Sequence, residues 1–334
     1  MSISFRVLGA AGRDNALLVE VDSGQALERL LFDCGERCLA DVPPGEVLGI
    51  DQLFFSHFHM DHIGGFDAFF RANYDRENAP NHIWGPPGSI DVLQHRFQGY
   101  VWNLHEGMSA TWRVSEVHPR EIRTARFELS EAFALRHREG TREYDRVIWE
   151  GAGCTVEAVA MDHKTPSLAY VVREKARRNI DTSKLAALGL RPGVWLKLLK
   201  DGAETVVIDG VERAAAQLRA QLIVESEGEA LAFLTDFLLD DAAMERLVPV
   251  IRGCQVMVCE GQYRHADLEL AQKHHHMTTV LAATLAKRAE VGELVLEHLS
   301  DRYERAEWLQ MLREAREVFP KTRFPEGWAI GNDE

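Results

Sequence analysis

The chain has 334 residues, 46% of them hydrophobic, with 38 Lys and Arg against 52 Asp and Glu for a formal net charge of -14. That length and apolar share can fill a substantial core, and no run of about 18 apolar residues offers a membrane span. The acidic balance opposes polyanions at long range, so a nucleic-acid contact would need a local basic surface.

The opening MSISFRVLGAAG lacks the charged-then-apolar order of a secretory signal, so a cytoplasmic location is expected. Cys34, Cys38, Cys154, Cys254 and Cys259 are odd in number and scattered, with no Cys-x-x-Cys pair, and read as reduced thiols, mostly in the core.

In chain order, Ile3 to Leu8, Ala16 to Val21, Leu30 to Phe32 and Asp51 to Ser56 read as short strands, each followed by Gly, Asp or a polar cluster. Helical spacing is weak in this opening third, which favours a sheet. The segment from Gly99 to Gly151 matches no pattern. Thr155 to Ala160 and Ser167 to Val172 are again strand-like. Arg173 to Arg213, with Gly189-Leu190-Arg191-Pro192-Gly193 and Asp201-Gly202, has turn residues that interrupt both periods and reads as an inserted arm. Ala220 to Val224, Ala230 to Leu234, Val256 to Cys259 and Glu293 to Glu297 are apolar runs of strand length, each leading into a polar residue. Thr278 to Ala289 and Ala306 to Val318 carry helical periodicity with charged outer faces, so the pattern is mixed α/β.

The strongest signal is His57-x-His59-x-Asp61-His62, between a strand ending at Ser56 and Ile63-Gly64-Gly65. Four donors converge there from one short turn. Imidazole and carboxylate suit zinc and its neighbours, and manganese, iron or nickel accept the same donors. A chance cluster of surface histidines is the plain alternative.

This motif resembles the signature of the metallo-β-lactamase superfamily. The resemblance implies an α/β fold of four layers, αββα, with two mixed sheets flanked by helices. It implies one domain over 1–334 with the arm inserted at about 173–213. It also implies two divalent metal ions: His57 and His59 bind one, Asp61 and His62 the other. The family completes both shells with a His, an Asp and a His, the roles that fall to His163, Asp236 and His298 at strand ends, Asp236 bridging. Taken alone, His163 or His298 is more often a hydrogen-bonded core histidine than a ligand.

Such a centre serves β-lactams, thioesters, lactones and phosphodiesters alike. Five further segments resemble ribonuclease Z, the endonuclease that trims the 3′ trailer of precursor tRNA, and its phosphodiesterase and arylsulfatase-like relatives. Leu31-Phe32-Asp33-Cys34-Gly35-Glu36 implies that Asp33 braces the metal loop; Trp84-Gly85-Pro86-Pro87-Gly88 is similar to a strand-to-helix turn of that family. Cys259-Glu260-Gly261 with His276-Met277-Thr278-Thr279 implies that Glu260 orients His276, which protonates the leaving oxygen. Without the resemblance, His274-His275-His276 is a polar cap before the helix beginning near Thr278. In His298-Leu299-Ser300-Asp301-Arg302-Tyr303, Ser300 and Arg302 would grip the scissile phosphate; the alternative is a surface Asp-Arg pair opening the next helix. The fifth segment, Leu188 to Gly202, is similar to the arm that grasps the tRNA elbow. Between Arg173 and Lys200, eight basic residues face only Glu174 and Asp181, which suits a polyanion.

The chain departs from ribonuclease Z where Arg37-Cys38-Leu39 replaces Gly-Thr-Gln, in the short loop Gly12 to Asn15, and at Cys259-Glu260-Gly261-Gln262 in place of His-Glu-Ala-Thr.

The expected function is therefore a metal-dependent phosphodiesterase that hydrolyses RNA by a hydroxide activated at two metals, with Asp61, His276 and Glu260 as catalytic residues. Precursor tRNA is the expected partner, no membrane is involved, and the family implies a homodimer. Two other classes stand beside it: a small-molecule hydrolase of esters, cyclic nucleotides or sulfate esters, and a non-catalytic protein whose metal is structural.

Overall fold

The computed structural model describes residues 3–24, 26–78 and 81–330. The apolar runs near the N-terminus form the antiparallel strands β1 (Ile3–Gly9), β2 (Asn15–Asp22) and β3 (Leu27–Phe32). There follow α1 (Pro44–Leu48), β4 (Gln52–Phe54), α2 (Met60–Ile63), α3 (Phe66–Asn73), β5 (Asn81–Gly85) and α4 (Ser89–Phe97), with β3, β4 and β5 parallel. The stretch without a sequence pattern continues this sheet as β6 (Thr111–Val117), β7 (Glu121–Glu128) and β8 (His137–Glu143).

A second sheet opens with β9 (Val147–Glu150), β10 (Cys154–Asp162) and β11 (Pro166–Glu174). The chain then leaves the sheet through β12 (Arg177–Ile180), α5 (Thr182–Ala187), α6 (Trp195–Lys200), β13 (Thr205–Ile208), β14 (Val211–Ala214), α7 (Ala215–Leu222) and β15 (Ile223–Ser226). It returns as β16 (Ala230–Leu234), α8 (Asp241–Ile251), β17 (Val256–Glu260), α9 (Leu268–His274), α10 (Thr279–Arg288), β18 (Glu293–Glu297), α11 (Arg305–Val318) and β19 (Thr322–Arg323). Among the described residues, the sheets have eight strands in the order β1 to β8 and seven in the order β19-β18-β17-β16-β11-β10-β9.

Three apolar seams make the layers. Phe66, Phe70 and Phe97 of α3 and α4 pack on Trp112 and Phe127 of the first sheet. Phe32 and Phe54 stack at 4.9 Å between the sheets and meet Tyr170 and Phe233 of the second. Leu247, Leu285, Met311 and Leu312 of α8, α10 and α11 share a core with Ala232, Met257 and Leu294 on the far face of that sheet. Burying one such side chain stabilises by about 1.5–3 kcal/mol, so each seam holds its helices or sheet in place. The architecture is the αββα sandwich. The Tyr170 hydroxyl donates to Phe55 O at 2.6 Å and the Leu168 N–H to Ser56 O at 2.9 Å, tying the second sheet to the strand end that carries the metal motif.

The excursion Glu174–Gly228 is a compact unit with its own core of Leu185, Trp195, Leu199, Val206, Leu218 and Leu222. The expected arm end at 213 falls inside β14. Ala220–Val224, expected as one strand, instead straddles the end of α7 and the start of β15. The Ala-rich run Ala214-Ala215-Ala216 favours a helix more strongly than the short apolar run favours a strand. The unit carries nine basic and eight acidic residues, because Asp201, Glu204, Asp209, Glu212, Glu225 and Glu227 follow the basic first half.

All five cysteines are buried, and among the described residues none forms a disulfide. Among the described residues, no helix is long and apolar enough to cross a membrane.

Candidate metal centre

The site lies at the strand ends of the sandwich. Asp33 follows β3, Asp236 follows β16 and His298 follows β18, with φ of 56°, 51° and 50°. The left-handed region is open to Asp and His more readily than to most side chains, and here it turns each one off its strand toward the centre.

Asp33 is buried and accepts three hydrogen bonds: Ser56 N to Oδ1 and Ser56 Oγ to Oδ2, both at 2.7 Å, and His62 Nδ1 to Oδ2 at 2.8 Å. The last fixes the His62 tautomer and presents Nε2 to the centre. His163 is held in the same way, its Nδ1 donating to His275 O at 2.8 Å. The His298 N–H donates to Asn15 Oδ1 at 3.1 Å.

Two donor groups result, and a third overlaps them. His57, His59 and His163 have ligand atoms within 4.8 Å of one another, so do Asp61, His62, Asp236 and His298, and so do His163, Asp236 and His276. Asp236 Oδ2 also lies 3.7 Å from both His57 Nε2 and His163 Nε2, so one carboxylate touches both groups. His57 Nε2 is buried with no hydrogen-bond partner. His62 Nε2 and His298 Nε2 face each other at 3.3 Å, each 3.2 Å from Asp236 Oδ2. Burial alone would lift Asp236, yet the facing His298 and His62 hold its carboxyl well below the usual carboxylate range. Convergent ring nitrogens around a buried carboxylate, one of them unpartnered, repel one another unless cations lie between them. The donor set fits divalent metals with N/O preference.

The remaining expected residues also converge. Glu260 Oε2 lies 2.9 Å from His276 Nδ1, and Oε1 accepts the Phe237 N–H at 3.3 Å. The His276 ring is 4.7 Å from that of His163. Arg302 donates from Nε to Ser300 Oγ at 3.2 Å and sets its guanidinium 5.0 Å from the Tyr263 ring, which in turn lies 5.8 Å from His276. Glu297 is buried beneath His298, its carboxyl pushed up to about 8 by burial and its Oε1 without a partner.

A cavity of about 340 Å³ opens over this arrangement, and Lys164, Thr165, Tyr263 and His274 line it beside His59, His163 and His276. Sequence reasoning named His274 only as part of a polar cap and did not name Lys164, Thr165 or Tyr263. Lys164 and Thr165 follow His163 directly, and Tyr263 follows Glu260 by three, which was the available signal.

Comparison with known proteins adds a lineage to this geometry. The chain is 50% identical to ribonuclease Z of Deinococcus radiodurans over 329 residues, covering 98% of this chain and 99% of that one. It belongs to the ribonuclease Z family. Ribonuclease Z of Enterococcus faecalis is 29% identical over 298 residues, covering 88% of this chain and 84% of the relative. Residues 11–158 also match the family model described as anti-Pycsar protein Apyc1. Among solved structures, human tRNase Z, short form, aligns with a TM-score of 0.54 at 17% identity, over 99% of this chain and 100% of that one. The metallo-β-lactamase fold protein YhfI of Bacillus subtilis aligns at 0.56 and 16%, over 96% and 95%. Both share the metallo-β-lactamase fold found here, and the ribonuclease Z relationship rests on the sequence match.

Proposed function

We infer that this protein is a metal-dependent endoribonuclease that removes the 3′ trailer of precursor tRNA. The observation that carries the reading is the convergence of seven donors, Asp236 shared among them, with the Glu260–His276 pair beside them, in a chain half identical to ribonuclease Z over nearly its whole length.

His57, His59 and His163 would hold one cation, Asp61, His62 and His298 the other, with Asp236 shared between them. When bound, two such ions lower the pKa of water between them and polarise the phosphoryl group. The chain's own residues supply the rest. Glu260 accepts the Nδ1 proton of His276, which leaves Nε2 as the nitrogen turned to substrate. Water attacks phosphorus and gives up a proton to bulk solvent, the bond to the 3′ oxygen breaks, and His276 gives that oxygen its proton; a positioned general acid contributes about 10²- to 10⁴-fold. Arg302, braced by Ser300 and the Tyr263 ring, offers a planar fork to the non-bridging oxygens. Asp33 keeps His62 oriented.

Three further elements of this reading are zinc as the metal, supported by the His-rich donor set, a homodimer, and a cytoplasmic location. The Glu174–Gly228 unit would bind RNA through its basic first half.

The test compares purified, metal-loaded protein on precursor tRNA and on bis(p-nitrophenyl) phosphate. Cleavage of the RNA with far higher kcat/KM supports the reading. Turnover of the small diester with inert RNA would instead make the protein a small-molecule phosphodiesterase.

A further inference from the structure

The cavity over the metal centre has a wall on which Lys164 and His274 enter no step above. Two turns build it, Asp162–Thr165 and Gln272–His276, and they are bonded to each other. His163 Nδ1 donates to His275 O at 2.8 Å, and His275 Nδ1 donates to Asp162 O at 3.4 Å. Each turn contains a left-handed residue, Lys164 at φ 58° and His275 at φ 58°, a conformation that costs energy for these side chains and persists where surrounding bonds enforce it. The consequence is that Lys164 and His274 stand together on the cavity wall.

The charge there is one-sided. Burial first, then Lys164, Lys273, His276 and Arg302, lowers the His274 imidazole, and none of the residues lining the cavity is acidic. Asp162, beside His163, spends Oδ1 on the Lys164 backbone N–H at 2.8 Å and lies 3.7 Å from His275 Nδ1. Among the described residues, no ion pair engages the Lys164 ammonium. In a chain of net charge -14, a held cluster of bases with no acidic lining is a place for an anion. At about 340 Å³ the cavity is at the small end of ligand pockets and matches a single nucleotide.

Its position says which nucleotide. His276 lines the same cavity and protonates the leaving 3′ oxygen, so the group beside it belongs to the nucleoside that carries that oxygen. We propose that Lys164 and His274 hold the phosphate on the 5′ side of that nucleoside, one linkage upstream of the scissile bond, and so set the register of cleavage. This inference rests on the endoribonuclease reading above and makes the two side chains positioning residues that do not touch the reacting phosphorus.

The test is a coupling between one RNA linkage and these side chains. A precursor tRNA is prepared with an uncharged methylphosphonate at the linkage immediately upstream of the cleavage site, beside an unmodified control. For the wild-type protein the neutral linkage lowers kcat/KM about tenfold, the size of one hydrogen bond to a charged group. In the Lys164→Gln, His274→Gln double variant that penalty falls below about twofold, whereas Lys164→Arg retains it. Both side chains are exposed, and equal melting temperatures verify folding. An equal penalty in wild-type and double variant, or none in wild-type, overturns this inference and leaves the endoribonuclease reading intact. Failure of wild-type protein to cut either RNA overturns the endoribonuclease reading, and this inference with it.

Discussion

Glu260 Oε2 sits 2.9 Å from His276 Nδ1 although 16 residues separate them, because the carboxylate ends β17 and the imidazole precedes α10. Burial alone would lower the imidazole, but Glu260, with Asp236 behind it, raises it above its ordinary value. His276→Ala should lower kcat about 10²- to 10⁴-fold. Glu260→Gln should lower it about 10- to 100-fold, as loss of an orienting partner does. If the two act as one unit, the double variant falls little below His276→Ala alone; steady-state kinetics on precursor tRNA reads this, and additive losses contradict the pairing.

Asp236 touches both histidine groups, so its removal should empty both positions rather than one. Asp236→Ala is expected to bind less than one metal per chain by elemental analysis, to lose activity to background, and to show no rise in melting temperature on adding zinc. Wild-type protein should show that rise, since a ligand that binds only the folded state stabilises it.

The Glu174–Gly228 unit has its own core, so its replacement by a short linker should leave the sandwich folded. Hydrolysis of bis(p-nitrophenyl) phosphate is expected to persist, while kcat/KM on precursor tRNA drops by about 10²-fold or more, the salt-sensitive share of phosphate contacts. Comparable losses on both substrates would remove the RNA-binding role from this unit.

A pH dependence of stability follows from His82 on β5. Its ring stacks on Trp84 at 4.2 Å and shares a 2.8 Å hydrogen bond between Nε2 and Ser115 Oγ; burial first, then Arg113 and Arg142, hold the imidazole down to about 3. The unfolded chain takes up that proton near pH 6.5 and the folded chain does not. Stability is therefore full above that pH and declines as pH falls below it, by up to about 1 kcal/mol per pH unit from this group. His82→Gln should flatten the denaturant-midpoint profile between pH 6.5 and 5. An unchanged slope would show that other groups drive it.

Much of this was legible in the sequence. The metal motif reads because four donors fall within six residues, and His163, Asp236 and His298 read because each ends an apolar strand run. What escaped did so for physical reasons. β8, His-Arg-Glu-Gly-Thr-Arg-Glu, is exposed along nearly all its length, so no alternation of apolar and polar residues marks it. α1 and α2, of five and four residues, are too short to show a helical period. α3 does place Phe66, Phe69 and Phe70 at helical spacing, but its neighbours hide that in a stretch dominated by strands. Lys164 belongs to no motif and His274 reads only as part of a polar cap, and tertiary bonds between their turns bring them together.

The most direct measurement is the mapping, at nucleotide resolution, of the product formed when metal-loaded protein is incubated with a 5′-labelled precursor tRNA. One product ending in a 3′-hydroxyl at the discriminator nucleotide is expected, absent with chelator or with Asp236→Ala. Cuts scattered along the RNA, or an intact precursor beside fully metal-loaded protein, would contradict it.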